Sequence, residues 1–391
     1  MKKADKKFGS KGSLYRVLLL VTYGAMLLGQ FGRIELVTGV SVYLHELVLF
    51  WLLVIWLIDK EKVRVDKKTA KLYGAGGLFL GVAWLSLVVN LGFLGAGLMG
   101  SSLYLVRLML YAGLWPMLAD IKKRNILTWS IRDILIVVGV ILGLTGLVQY
   151  VLIPDTTNLV LYGWDDHLYR AVGILFDPNF LGLVIVLTLV LLMFKKPLNF
   201  RLLILMLVTL GLTYSRSAYL ALVSSIVAIS YYRKSISMLL AGGVIVLVGL
   251  WLLPNRGGEG NNLIRIFSIQ QRLESQRAAV EIWKSKPVLG VGFNAYKLYI
   301  GYENKYEYLP YRVSGPDNSF LLILSTTGIV GTLVFGNLVV ELLRAHGSKR
   351  WLGVSLLVVA VHSMFNNSLF YPLVMVWVFS LLAEAGVTGN T

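Results

Sequence analysis

The chain has 391 residues, of which 57% are hydrophobic and 15% charged, and its mean hydropathy is +0.73. Soluble domains hold nearer half apolar and a quarter charged residues, so this composition excludes an ordinary soluble protein and points to a polytopic membrane protein. The absence of Cys removes disulfides, thiolate catalysis and Cys-ligated metal, and the formal charge of +17 finds its first explanation in the positive-inside rule rather than in nucleic acid.

Met1 to Arg16 is Lys-rich and runs into an apolar stretch without a small-residue cleavage site, the pattern of a retained cytoplasmic tail. A run of about 20 apolar residues crosses a bilayer of roughly 30 Å. Twelve such runs follow, near 17–30, 47–58, 72–90, 101–119, 134–153, 171–194, 202–214, 217–231, 239–253, 318–340, 351–370 and 373–386. With the N-terminus inside, the cytoplasmic segments hold 24 of the 37 Lys and Arg, whereas the short outer turns hold only Arg33, Arg170 and Arg216. That asymmetry puts both termini in the cytoplasm and the long polar interruption 254–319 outside. The expected fold is therefore all-α: a single integral membrane domain over 1–391, with about 12 transmembrane helices and one long extracytoplasmic loop. No strong internal repeat is visible, which weighs against a secondary transporter.

Charge inside a bilayer costs about 2.5–3.5 kcal/mol on insertion scales, so each charged residue in or beside a span needs a reason. Arg170 and Asp177 stand seven residues apart at the outer end of the sixth run, a spacing of two helical turns that would place both on one face. Pro178 is expected to kink or unwind that helix. Tyr214-Ser215-Arg216-Ser217 makes a tight polar turn, too short to lift Arg216 far from the membrane surface. Arg107, in the fourth run, and His362, with Asn366 a turn later in the eleventh, are intramembrane polar groups. A lone His among apolar residues is more often a hydrogen-bonded structural group than a catalyst.

The long loop opens on a breaker run, Pro254 to Gly260. Ser268-Ile269-Gln270-Gln271 then has capping-box spacing, predicting an amphipathic helix over about 268–284 whose stripe is Ile269, Leu273, Val280 and Trp283. Arg272 and Arg277 flank that stripe. Pro287 ends the helix, Gly290 and Gly292 permit a sharp turn or close approach, and Asp317 either caps the next span or serves chemistry. Three guanidinium forks on the outer side, Arg170, Arg216 and Arg277, would suit a diphosphate.

Four motifs in order carry a family likeness: Arg-x-x-Gly-x-x-x-Asp-Pro-Asn (170–179), Tyr-Ser-Arg-Ser-Ala (214–218), Lys-Pro-Val-Leu-Gly-Val-Gly-Phe (286–293), and Asp-Asn-Ser-Phe-Leu with Thr-Gly-Ile-Val-Gly (317–331). Over about 160–375 the chain resembles the O-antigen ligase and O-antigen polymerase family. The resemblance implies a membrane-embedded glycosyltransferase of GT-C-type architecture in the bacterial cytoplasmic membrane. Its active site would face outside and move a glycan from undecaprenyl diphosphate to an acceptor hydroxyl, with no cofactor and no metal.

Arg216 and Asp317 would then be the catalytic pair, with Arg170, Arg277, Asp177, Tyr214, Asn318 and His362 contacting substrate. The family's loop usually carries His before its Asn-Ser pair; here Asp317 stands there, with His167 and His362 as substitute bases. Direct displacement by the acceptor inverts the anomeric centre, whereas a carboxylate nucleophile at Asp177 or Asp317 would retain it. The implied partners are the lipid-linked glycan donor, a glycan or lipid acceptor, membrane lipids and other polysaccharide-assembly proteins. The missing His and compact chain favour a polymerase of repeat units. Ligase-type transfer to a distinct lipid or protein, and a flippase for lipid-linked oligosaccharide, are the alternatives.

Overall fold

The computed structural model describes residues 5–37, 40–59, 61, 65, 67–254, 266–302 and 315–386. The breaker run after Pro254 lies outside them. The N-terminal half begins with α1 (Asp5–Met26), a two-stranded antiparallel hairpin of β1 (Arg33–Val37) and β2 (Val40–Tyr43), and α2 (Leu44–Ile58). It continues through α3 (Lys67–Val89), the single turn α4 (Leu91–Leu94), α5 (Leu98–Lys123) and α6 (Ile131–Leu152). After a stretch of 3-10 turns come α7 (Pro178–Phe194), α8 (Phe200–Leu212), α9 (Arg216–Arg233) and α10 (Ile236–Trp251). The chain closes with α11 (Ile266–Ser285), α12 (Tyr296–Tyr302), α13 (Ser319–His346), α14 (Arg350–Ser363) and α15 (Pro372–Ala385).

Each of the twelve apolar runs overlaps one of these helices. Among the described residues four helices, α3, α5, α6 and α13, are long and apolar enough to cross a membrane, and six more are apolar but shorter. The hairpin departs from the all-α expectation. Its strands alternate β-branched and polar residues, Arg33-Ile34-Glu35 against Val42-Ser41, a pattern that fits a pleat better than a helix.

The centre of the bundle is α7. It carries no charge, and every residue from Leu181 to Leu192 is buried, as expected of a helix apolar on all sides. Helices α6, α8, α9 and α14 pack around it. Close approach relies on small residues: a Cβ on Gly182 would lie 2.7 Å from the Ala218 methyl on α9. By contrast α10 has no buried residue, and Leu240, Leu247 and Trp251 face outward at 64%, 68% and 82% exposure, a surface suited to lipid.

Two corrections bear on the site. The sixth apolar run is not one helix from residue 171: residues 168–177 run through turns, and the helix begins at Pro178. Asp177 is its N-cap, accepting from Asn179 N at 2.6 Å and Phe180 N at 3.3 Å, while Pro178 occupies the first helical position, where its missing N–H has no cost. Arg170 and Asp177 therefore share no helical face. The eleventh run also stops short, since α14 ends at Ser363 and Asn366 lies in the turn beyond it.

The second half has a device that the sequence motif does not explain by itself. Helix α13 is broken at Gly328, whose φ of 65° is left-handed. The segment following α11 lies in that break: Val291 N donates to Ser325 O and Gly292 N to Thr326 O, both at 3.0 Å. In return Ile329 N donates to Pro287 O at 2.9 Å and Val330 N to Val288 O at 3.2 Å. From α3, Ser86 Oγ reaches Leu289 O and Thr326 O, both at 2.6 Å, and Asn90 Nδ2 reaches Gly290 O at 2.9 Å. The backbone groups freed by breaking a buried helix are thus satisfied by protein, as a membrane interior requires. Glycine is needed at both contact points, because a Cβ would come within 2.4 Å of backbone at Gly290 and 2.2 Å at Gly328.

Candidate functional site

The N-termini of α7, α9, α13 and α15 meet at one end of the bundle. Their caps are chemically similar: Asp177, Ser215 and Asn318 each accept from backbone N–H groups of the turn that follows, and α15 starts on Pro372. Side-chain contacts hold the four together. Ser215 Oγ donates to Asn179 Oδ1 at 2.9 Å, Phe180 stacks on Tyr371 with ring centroids 3.7 Å apart, and Leu369 N donates to Ser319 Oγ at 3.2 Å. Aligned peptide dipoles give each helix about half a positive charge at its N-terminus, so the convergence favours an anion.

Beneath this end lies a fully buried polar layer. His362 has Ser368 Oγ 2.7 Å from Nδ1 and Ser217 Oγ 3.1 Å from Nε2, and Asn366 Nδ2 donates to Ser217 Oγ at 2.8 Å. Both imidazole nitrogens are therefore occupied by hydroxyls, and the ring clamps α14 to α9 and to the turn before α15. The ring is thus a hydrogen-bonded tie between these segments.

Above the layer stand the charges. Arg272 of α11, its side chain 25% exposed, faces Asp317 with Nε 3.7 Å from Oδ2. Its charge also reaches Arg216, the first residue of α9. The two guanidinium groups repel each other, and Asp317 is the carboxylate that faces Arg272. Asp317 does not cap α13, since Asn318 does, with its Oδ1 accepting from Phe320 N at 2.9 Å and Leu321 N at 3.1 Å. The Asp317 carboxyl is left for other work. Its side chain keeps 51% of its exposure but sits in a recess of protein, and desolvation there pushes its pKa above the ordinary carboxylate value. The Arg272 cation opposes that rise and the Asp165 carboxylate adds to it.

The remaining residues singled out from the sequence take different places. Arg170 is buried, and its Nε donates to Thr213 O at 2.9 Å and its Nη2 to Tyr214 O at 3.4 Å. It satisfies carbonyls at the C-terminal end of α8 and so holds the turn that presents Ser215 and Arg216. Tyr214 is the strained residue of that turn, with φ of 50°, and its hydroxyl donates to Pro254 O. His167 is half-buried, and its carbonyl accepts from Thr156. Arg277 is exposed on α11.

The exchange of Arg277 for Arg272 has a legible cause. Helix α11 packs through Ser275, Ala278, Ala279 and Ile282, all buried, whereas Ile269 and Leu273 are 43% and 49% exposed. Small residues set the packing face because they admit close helix approach. Arg272 extends that face by one turn at the i, i+3 spacing; Arg277 falls outside it.

An apolar cavity of about 650 Å³ adjoins the site between α3, α5, α13, α14 and α15. It begins at Phe320 and Phe370, beside Asn318 and Ser368, and reaches Tyr73, Gly353 and Leu382 near the other end of the bundle.

Residues 201–336 match the family model described as O-Antigen ligase. None of the curated proteins matches the chain. The matched segment contains Arg216, Arg272, Asp317, the docked loop and the break in α13, and it supports the O-antigen ligase and polymerase family for this chain.

Proposed function

We propose that this protein is a polymerase of lipid-linked oligosaccharide repeat units, using undecaprenyl diphosphate glycan as donor on the outer side of the bacterial cytoplasmic membrane, with both termini cytoplasmic. The observation that carries the reading is the Arg216, Arg272 and Asp317 group, set where four helix N-termini meet and where a membrane-depth apolar groove opens. A substrate with a diphosphate between a sugar and a long prenyl chain matches that order of chemistry. The groove has room for part of the chain, the cations for the diphosphate, and the recess for the sugar.

In the reaction the acceptor hydroxyl oxygen attacks the anomeric carbon while its proton passes to the Asp317 carboxylate. The bond from the anomeric carbon to the phosphate oxygen breaks, and its electron pair leaves on the lipid diphosphate. Arg216 and Arg272 neutralise that developing charge in a site poor in water, where fixed cations lower a barrier most. A carboxylate with a raised pKa is the better base for a neutral hydroxyl. With Asp177 engaged in capping α7, one displacement with inversion fits better than a covalent intermediate.

The description of the matching family favours a second reading, transfer to a distinct lipid or protein acceptor. Purified protein incubated with synthetic undecaprenyl diphosphate oligosaccharide separates the possibilities. Longer glycans and released lipid diphosphate are expected; glycan transferred only when a different acceptor is added selects the ligase. Substrate crossing between leaflets with no bond broken selects the flippase. Equal extension by wild type, Arg216→Ala and Asp317→Asn would show that the site is elsewhere.

A further inference from the structure

Outside the charged group, the stretch 155–177 and the hairpin build an aromatic ledge that the reaction above does not use. Trp164 packs edge-to-face on Phe176 with ring centroids 5.7 Å apart, and Phe176 packs the same way on Phe31 at 5.1 Å. Phe31 is 71% exposed. The Arg33 guanidinium lies over Trp164 at 5.5 Å and is steadied by its Nε donating to Ser41 Oγ at 2.8 Å.

Three features separate this ledge from ordinary packing. Phe176 holds φ of 56°, a left-handed backbone that a bulky residue adopts only under constraint, and such outliers gather where a side chain must be presented. Among the described residues the Trp164 indole N–H has no hydrogen-bond partner, so a donor is available within the aromatic surface. Next to it, the exposed Asp165 is close enough for its charge to act on both Asp177 and Asp317. The ledge therefore borders the recess where Asp317 stands.

We infer that this ledge is a saccharide-binding subsite, seating the glycan that supplies the attacking hydroxyl. Pyranose rings present C–H faces of slight positive potential, which suit the negative faces of aromatic rings. Their hydroxyls need donors and acceptors at the edge of such a surface, and Trp164 Nε1, Arg33 and Asp165 supply both. A phospholipid headgroup region would also accept exposed aromatics, but it gives no account of a carboxylate next to Trp164 whose charge reaches the base. The inference rests on the proposed glycan transfer.

The test uses the full chain in nanodiscs and two probes: the oligosaccharide released by mild acid from the producing strain's own lipid-linked glycan, and farnesyl diphosphate, which has no sugar. Saturation-transfer NMR is expected to show oligosaccharide binding to wild type, weakened at least tenfold by Trp164→Ala and by Phe31→Ala. Trp164→Phe should keep most of it, and Trp251→Ala, on the lipid-facing helix, all of it. Farnesyl diphosphate binding should be equal in every variant, which also certifies folding. Undiminished oligosaccharide binding by both alanine variants overturns the subsite, as does wild type that binds farnesyl diphosphate but no oligosaccharide. Wild type that binds neither probe sinks the transferase reading together with it.

Discussion

The two ends of the helix bundle differ in how closely their charges are paired. At the end where α5 and α15 finish, carboxylates and cations are tied together: Arg124 to Asp59 at 2.9 Å and Asp120 at 3.5 Å, Lys122 to Glu384 at 2.9 Å, and Lys71 and Arg344 to Glu341 at 3.0 and 2.9 Å. Three of these pairs, Arg124–Asp59, Lys122–Glu384 and Lys71–Glu341, bind neighbouring helices, and Arg124 with Asp59 and Asp120 is buried on both sides, at 6%, 4% and 7% exposure. At the other end Arg107 and Glu46 form one close pair at 2.6 Å, but beside the helix caps Arg216 and Arg272 repel one another, the Arg272–Asp317 pair is long at 3.7 Å, and four helix N-termini add positive potential. Closed, buried pairing ties a fold together, whereas a long pair beside a repelling cation adds little to it.

Substitutions can break this contrast, and the largest effect is expected at Asp317. Asp317→Asn should lower kcat/KM for glycan extension by about 10²–10⁴-fold, the range for removing a positioned base, with the detergent-solubilised protein melting as wild type does. At the closed end the reverse is expected. Arg124→Ala leaves two buried carboxylates without their partner and should cost about 3–5 kcal/mol of stability, read as a lower melting temperature, while activity per folded molecule holds.

Arg216→Ala and Arg272→Gln should each cost about 10²–10³-fold in kcat, as for loss of a fixed group that stabilises transition-state charge. A rate profile against pH sharpens the point. Because the Asp317 pKa is raised, activity should climb with pH through a midpoint above that of a solvated aspartate. Arg272→Gln removes the cation that favours the carboxylate and should move that limb to higher pH; Asp165→Asn removes an opposing anion and should move it lower. The smallest effect belongs to Arg277→Ala, expected within about twofold of wild type because the side chain points to solvent. A large loss there, with Arg272→Gln near wild type, would reverse the roles assigned to the two arginines of α11.

Much of this was legible in the sequence, but unevenly. Apolar runs mark helices because a buried segment must satisfy its own backbone, so each run overlaps one of the helices found. The motif around 170–179 marked a special place, yet reading it as one helix failed: Asp-Pro-Asn is a cap followed by a first helical turn, and local capping prevailed over apolar continuity. On α11 the weight given to large apolar residues chose the exposed stripe, since packing there runs through alanines. The pairing of 287–292 with the break in α13 was out of reach of spacing rules. It joins two motifs distant in sequence through backbone hydrogen bonds, which side-chain patterns do not record.

That backbone pairing has a mechanical consequence. Arg272 lies on α11 and Asp317 just before α13, and a fixed spacing between them would be hard to keep by side-chain packing alone. Because α11 runs directly into the strip laid along α13, both residues are surveyed from one benchmark.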